Sequence, residues 1–135
     1  MEMSLAMVQD LTARAIELAN SEFKRPICVA VCDQYGLLLS FTRVPGATIR
    51  SISIAQGKAY TAARMGVNTD AFLERLQRDN LQTSYFCDPL FTGLQGGAVL
   101  KNSAGEIIGG AGISGLTAQE DQVIANMMAA TTQKA

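Results

Sequence analysis

Apolar residues recur at spacings of three and four over residues 4–21, through Leu5, Val8, Leu11, Ala15 and Leu18. This period predicts an amphipathic helix with Ser4 as its N-cap, ended by Phe23-Lys24-Arg25-Pro26. Residues 27–32 then predict a strand apolar on both faces, with Ile27, Val29 and Val31 pointing one way and Cys28, Ala30 and Cys32 the other. A strand without a polar face needs cover on both sides. Asp33-Gln34-Tyr35-Gly36 has the composition of a type I turn, so residues 37–43 return as the second strand of a hairpin before Val44-Pro45-Gly46 breaks it.

Residues 48–64 predict a second helix, one side of which carries Ile49, Ile52, Ala55, Ala59, Ala62 and Ala63. So many alanines imply close approach to a sheet or another helix. Asn68 or Thr69 caps a shorter helix over 70–79 that buries Phe72, Leu73 and Leu76. Residues 80–96 show no period and carry Tyr85, Phe86, Pro89 and Phe91; such a loop is either functional or packed by its own aromatics. A second hairpin follows: strand 97–101, the turn Asn102-Ser103-Ala104-Gly105, and strand 106–113. Thr117 with Glu120 reads as a capping box for a last helix whose apolar face is Val123, Ile124, Met127 and Met128. Two hairpins with helices before, between and after them predict an α+β domain over residues 1–135, a three-layer α/β/α sandwich on an antiparallel sheet.

The glycines of residues 109–121 test that reading. Gly110, Gly112 and Gly115 spell G-x-G-x-x-G, the spacing of a dinucleotide-binding turn. That turn belongs to a first βαβ unit, and the twenty residues after Gly115 hold one helix and no further parallel strand. The fingerprint fails on context. Bare backbone at Gly109, Gly110 and Gly112 serves close approach instead, by a helix, a second subunit or a flat ligand, and Gly115 turns the chain toward the last helix. Backbone N–H groups near 114–119 form a weak anion site that Glu120 and Asp121 oppose.

Composition narrows the chemistry. The net charge is −1 with eleven Lys and Arg scattered along the chain, so no nucleic-acid surface is expected. Charged residues make up 17%, against about 25% in an ordinary domain, which predicts a homo-oligomer. No run of residues suits a bilayer, and the start of the chain has no basic region before an apolar one, so no membrane association is expected and the expected compartment is the cytoplasm. Cys28, Cys32 and Cys87 suit a reducing environment; Cys28 and Cys32 lie ~13 Å apart along a strand, beyond disulfide reach. There is no histidine, which excludes Ser-His-Asp and Cys-His pairs and leaves no zinc signature. Serine activated by lysine stays formally open, with Lys58 on a helix. Arg43, at a strand end, either forms a structural bridge or grips an anionic group. Lys58 and Thr61 share a helical face, as a polar stripe or as part of a site. The residues alone therefore reach an oligomeric α/β domain and no catalytic set.

Three stretches together resemble one family. CVAVCDQYGLLLSFTRVPGA is similar to its strand, D-x-x-G, strand, R-x-x-G-A opening; SISIAQGKAYTAARMG to its I-A-x-x-K-A-x-T-A helix; and LQGGAVLKNSAGEIIGGAGISGLTAQED to its glycine-rich ending. This is the GlcG/HbpS family, which includes the C-terminal domain of PduO and the OrfY proteins of glycerol- and diol-utilisation clusters, and the OrfY type looks most alike. The resemblance implies a profilin-like fold with a five-stranded antiparallel sheet, the fifth strand near residues 90–93. It implies homo-oligomers, and ligands such as haem or a corrinoid. Two departures stand out: Gly96-Gly97-Ala98 is followed by Val99 where the family has proline, and the missing histidine excludes histidine-ligated haem. Met3, Met7, Tyr60 and Cys87 are left as iron ligands. The function so implied is a non-catalytic, small-ligand-binding accessory protein of glycerol- or diol-type metabolism. Its pocket is expected where residues 110–115, the 80–96 loop and Arg43 converge, with Arg43, Lys58, Thr61, Gly110, Gly112, Ser114 and Gly115 as ligand contacts. An assembly protein of a metabolic cluster and an enzyme on a small organic substrate are the alternatives.

Overall fold

The computed structural model describes residues 2–135. Helix α1 runs Leu5–Leu18, capped by the Ser4 side chain, which accepts from the Met7 N–H at 3.1 Å. A π-helical turn, Ala19–Phe23, extends it until Lys24 takes a left-handed conformation with φ 55°. Strands β1 (Cys28–Asp33) and β2 (Leu38–Arg43) form the first hairpin. Helices α2 (Arg50–Met65) and α3 (Thr69–Arg78) follow, with Gly66 (φ 70°) ending α2. Strands β3 (Gly97–Lys101) and β4 (Ile107–Ser114) form the second hairpin, and α4 (Ala118–Lys134) closes the chain behind the Thr117–Glu120 capping box. The strand order is β2-β1-β4-β3, all pairs antiparallel.

The sheet has four strands, not five. Residues 91–94 run without strand pairing, because side chains already occupy the edge a fifth strand would use. Thr69 Oγ1 accepts from the Gly97 N–H at 2.8 Å, Asn68 Oδ1 accepts from the Val99 N–H at 3.0 Å, and Gln122 Nε2 donates to the Gly97 carbonyl at 3.0 Å. Residues from α3 and α4 thus satisfy the backbone of β3.

Strand β1 divides the interior. Val29 and Val31 face α1 and α4 and join Val8, Leu11, Leu100, Ile113, Ile124 and Met128 in the larger core. Cys28, Ala30 and Cys32 face α2 and meet Ala55, Ala59 and Ala63. The alanines lie there because α2 almost touches the sheet: a Cβ on Gly112 would overlap the Ala55 carbonyl oxygen, and one on Gly110 the Ala59 carbonyl oxygen. Helix α2, not a ligand, is what approaches these two glycines. The apolar faces expected of the helices hold with three exceptions: Leu5, Ile49 and Val123 point to solvent.

The 80–96 segment is packed by its own aromatics. Phe72 of α3 meets Phe86 edge-on with centroids 5.2 Å apart and Phe91 at 6.1 Å, and Phe91 stands 5.9 Å from Tyr60 of α2. Arg75 lies over the Phe86 ring. The segment is thereby fixed across α2 as a strap.

Candidate functional site

The seven residues expected to contact a ligand occupy different places. Gly110 and Gly112 are sealed under α2. Lys58 leaves α2 inward; its Nζ donates to the Ile113 carbonyl at 2.8 Å and to Asp121 Oδ2 at 3.1 Å, with both side chains buried. Asp121 Oδ1 accepts in turn from the Leu116 N–H. Burial pushes Lys58 below and Asp121 above their ordinary ranges, and each one's charge on the other works against that. This buried pair joins α2, β4 and α4. Ser114 is buried at the end of β4 opposite Cys28, and Gly115 (φ 127°) turns the chain against Pro26. Arg43 donates to the Ala47 carbonyl at 3.1 Å. Thr61 Oγ1 donates to the Gly57 carbonyl at 2.7 Å and accepts from the Thr92 N–H at 3.0 Å. The structure brings Lys58 to Asp121 and Thr61 to the strap, and gathers no common pocket at residues 110–115.

A cleft opens on the other side of α2. It measures about 470 Å³ and lies between α2, the start of β2 with its turn, and the strap at Pro89, Leu90 and Thr92. Ile52, Gln56 and Tyr60, four residues apart on α2, face it, with Leu38 opposite and Cys32 and Ala59 at its floor. No Asp, Glu, Lys or Arg lines it. The strap is held down at both ends: the Tyr60 hydroxyl donates to Asp88 Oδ2 at 2.6 Å, and Thr61 takes the Thr92 amide. The strap lies directly on α2 at Gly57, where a Cβ would stand in ordinary contact with the Leu90 carbonyl oxygen at 3.4 Å.

Two titratable groups line the cleft. Cys32 Sγ donates to the Ala59 carbonyl at 3.3 Å, and burial pushes its thiol up to about 12. Tyr60 is pushed above the usual phenol range, first by its bond to Asp88 and then by burial. Its ring is clamped: a Cβ on Gly36 would fall 2.8 Å from Tyr60 Cδ2, and the Arg64 guanidinium sits 5.2 Å from the ring centroid. Among the four expected iron ligands, only Tyr60 lines the cleft. Met3 and Met7 pack into the core on the opposite face, and Cys87 is exposed with its thiol against the Tyr85 carbonyl. Among the described residues, no group of three or more Cys, Asp or Glu is placed to hold a metal ion, and no helix is long and apolar enough to cross a membrane.

The sequence carried one signal for this cleft that periodicity alone leaves unread. Ile52, Gln56 and Tyr60 mark a mixed stripe beside the alanine stripe of α2, and Leu37-Leu38-Leu39 is an apolar run too long for a half-exposed strand.

Known proteins share this architecture. The PduOC:heme complex superposes with a TM-score of 0.85 at 28% identity, covering 96% of this chain and 94% of that one. ORFY of Klebsiella pneumoniae superposes at 0.86 with 23% identity, covering 98% and 92%, a likeness of fold. Protein GlcG of Escherichia coli is 31% identical over 117 residues, which cover 84% of this chain and 85% of GlcG. A family model described as "Haem degrading protein HbpS-like" matches residues 3–130. With nearly the whole chain matched and the expected hairpins and glycine approaches in place, the protein belongs to the HbpS-like family.

Proposed function

We propose that this chain is a non-catalytic, small-ligand-binding accessory protein, and that its ligand is a tetrapyrrole, haem or a corrinoid, or a metabolite of comparable size, in glycerol- or diol-type metabolism. The observation that carries the reading is the uncharged, mainly apolar cleft of about 470 Å³ between α2 and the strap. That volume lies in the range of cofactor sites, and a few polar groups in an apolar wall are what orient such a ligand. PduOC, seen in a complex with heme, shares the fold over almost its full length. The residues present fit haem. Tyr60 offers a phenol oxygen, Gln56 and Ser53 offer hydrogen bonds, and Ile52, Leu38 and Leu90 offer flat apolar contact. With no charge in the walls, the carboxylates of haem belong at the solvent side.

Titration of the intact protein with ferric haem and, separately, with cobalamin tests the reading. Saturable uptake of one ligand per chain by absorption is expected, with thermal stabilisation approaching about 2.7 kcal/mol at a free ligand concentration a hundredfold above Kd. Ile52→Trp, which fills the cleft, is expected to abolish both effects. Neither ligand changing spectrum or unfolding temperature would overturn the reading.

A second reading, an assembly oligomer, is favoured by a different observation. Leu37, Leu38 and Leu39 are 64%, 52% and 46% exposed along the open edge of the sheet. The two readings are compatible, since the cleft is bounded by only part of that edge.

A further inference from the structure

We infer that the part of the ligand that enters the cleft is uncharged, and that it presents an amide-like edge, a carbonyl beside an N–H, to the Gln56 side chain. The inference rests on the cleft being a ligand site, and it concerns the chemistry that site selects. An anion needs cations or unengaged N–H groups around it. No Lys or Arg lines the cleft. The backbone around it offers no unengaged N–H either. Pro89 has none, the Leu90 N–H donates to Asp88 Oδ1 at 3.1 Å, and the Thr92 N–H donates to Thr61 Oγ1 at 3.0 Å. Across the cleft, the Gly36 N–H donates to the Asp33 carbonyl at 3.0 Å. Just outside the wall, Arg64 stands over the Tyr60 ring and Asp88 takes its hydroxyl, so the two nearest charges oppose each other. A cation fares no better, since no carboxylate lines the cleft. A charge carried inside would lose water and find no partner.

The neutral polar groups of the wall are mostly engaged as well. The Tyr60 O–H donates to Asp88 Oδ2 at 2.6 Å, the Cys32 S–H donates to the Ala59 carbonyl at 3.3 Å, and Thr92 Oγ1 accepts from the Leu94 N–H at 3.1 Å. Gln56 is the exception. It is half-buried, one helical turn after Ile52 and one before Tyr60, and among the described residues its side chain has no hydrogen-bond partner. A side-chain amide sets an acceptor oxygen beside two donor hydrogens. Its complement is a group with donor and acceptor side by side, as in a carboxamide, a lactam or an imide. A carboxylate meets the Gln56 N–H but turns its second oxygen against Oε1, and a ketone leaves Oε1 unmatched. Ile52, Leu38 and Leu90 then take the apolar body of the ligand.

The test uses three probes that share one ring system and differ at one group: 2-naphthamide, 2-naphthoate and 2-acetonaphthone. Each is titrated into the intact wild type, Gln56→Leu and Gln56→Lys at neutral pH, followed by probe fluorescence and calorimetry. The wild type is expected to take up one 2-naphthamide per chain, and to bind 2-naphthoate more weakly by about tenfold or more. The ketone is expected to bind about tenfold more weakly than the amide, the margin of one lost hydrogen bond. In Gln56→Leu the amide is expected to fall to the affinity of the ketone while the ketone keeps its own, which also checks that the variant folds. Gln56→Lys is expected to reverse the order and prefer 2-naphthoate. Naphthoate bound by the wild type as tightly as naphthamide overturns the inference, as does a Gln56→Leu variant that keeps the margin of amide over ketone. A wild type that binds none of the three probes overturns it too; saturable uptake of haem or cobalamin in that case leaves the small-ligand reading standing, and its absence removes both.

Discussion

At Gly112 a single methyl group meets backbone on both sides, since the Ala55 carbonyl oxygen occupies the space and the Ala59 nitrogen closes it. Neither atom belongs to a side chain that can rotate away, so Gly112→Ala has to move α2 off the sheet. A loss of about 3 kcal/mol is expected, at the upper end of overpacking costs. Gly105→Ala meets open space and only a positive φ of 82°, so about 1 kcal/mol is expected there. Urea midpoints at constant m separate the two, and equal losses would contradict the close-approach account. The Lys58–Asp121 pair supplies a second residue-scale prediction. Asp121→Asn leaves a buried ammonium without its counter-charge and should cost about 3–5 kcal/mol, while Lys58→Met with Asp121→Leu should recover most of that. The pH dependence follows from the directions of the two shifts. Asp121, raised by burial, contributes stability below the ordinary carboxylate range that is lost as pH rises through its folded value. Lys58, lowered by burial, contributes stability above the ordinary ammonium range that is lost as pH falls through its folded value. Between the two folded values the charged pair is therefore a net cost, and the double variant should show a flatter stability profile from pH 4 to 10.

At the scale of elements, the two edges of the sheet are treated differently. Thr69, Asn68 and Gln122 complete β3 as a neighbouring strand would. Thr69→Val keeps the shape and leaves the Gly97 N–H buried without a partner, so a loss of about 1–3 kcal/mol is expected. Hydrogen exchange at Gly97 should accelerate more than at residues of β1; unchanged protection would show that the edge does not need the hydroxyl. This substitution of side chains for a strand explains what the sequence disclosed and what it withheld. Both hairpins were legible because their turns are local: Asp33 accepts from the Tyr35 and Leu37 amides, and Asn102 from those of Ala104 and Glu106. Gly110 and Gly112 announced close approach, but not by which element, because the alanines of α2 lie fifty residues away. The fifth strand implied by resemblance is absent because a few distant hydrogen bonds do its work. The cleft was invisible to periodicity because its walls opposite α2 are assembled from a few residues each of β1, β2 and the strap, which are distant in sequence.

For the whole molecule, the open edge of β2 is the feature that bears on assembly. Among the described residues no side chain hydrogen-bonds to the backbone of Leu38–Arg43 from outside, and the pairing with β1 slips once, leaving Leu39 as a bulge between Leu38 and Ser40. Monomeric proteins protect such an edge with charge, proline or a covering element, and a bulge alone bends it without hiding it. Here Tyr35, Leu37, Leu38 and Leu39 stay exposed beside it and Arg43 is its sole charge. We propose that a second copy covers this edge, because an antiparallel strand can pair with itself about a twofold axis and join apolar strip to apolar strip without setting like charges together. Leu39→Lys places an ammonium on that strip and, already half exposed in the single chain, should cost the fold less than 1 kcal/mol. Sedimentation velocity at micromolar concentration is expected to show the wild type as an oligomer and Leu39→Lys as a smaller species with an unchanged circular dichroism spectrum. Leu5→Lys, a comparable exposed leucine on α1, should leave assembly intact. A wild type that sediments as a monomer, or a Leu39→Lys variant that assembles like it, would place the chain's excess of apolar surface in the service of something other than its own copies.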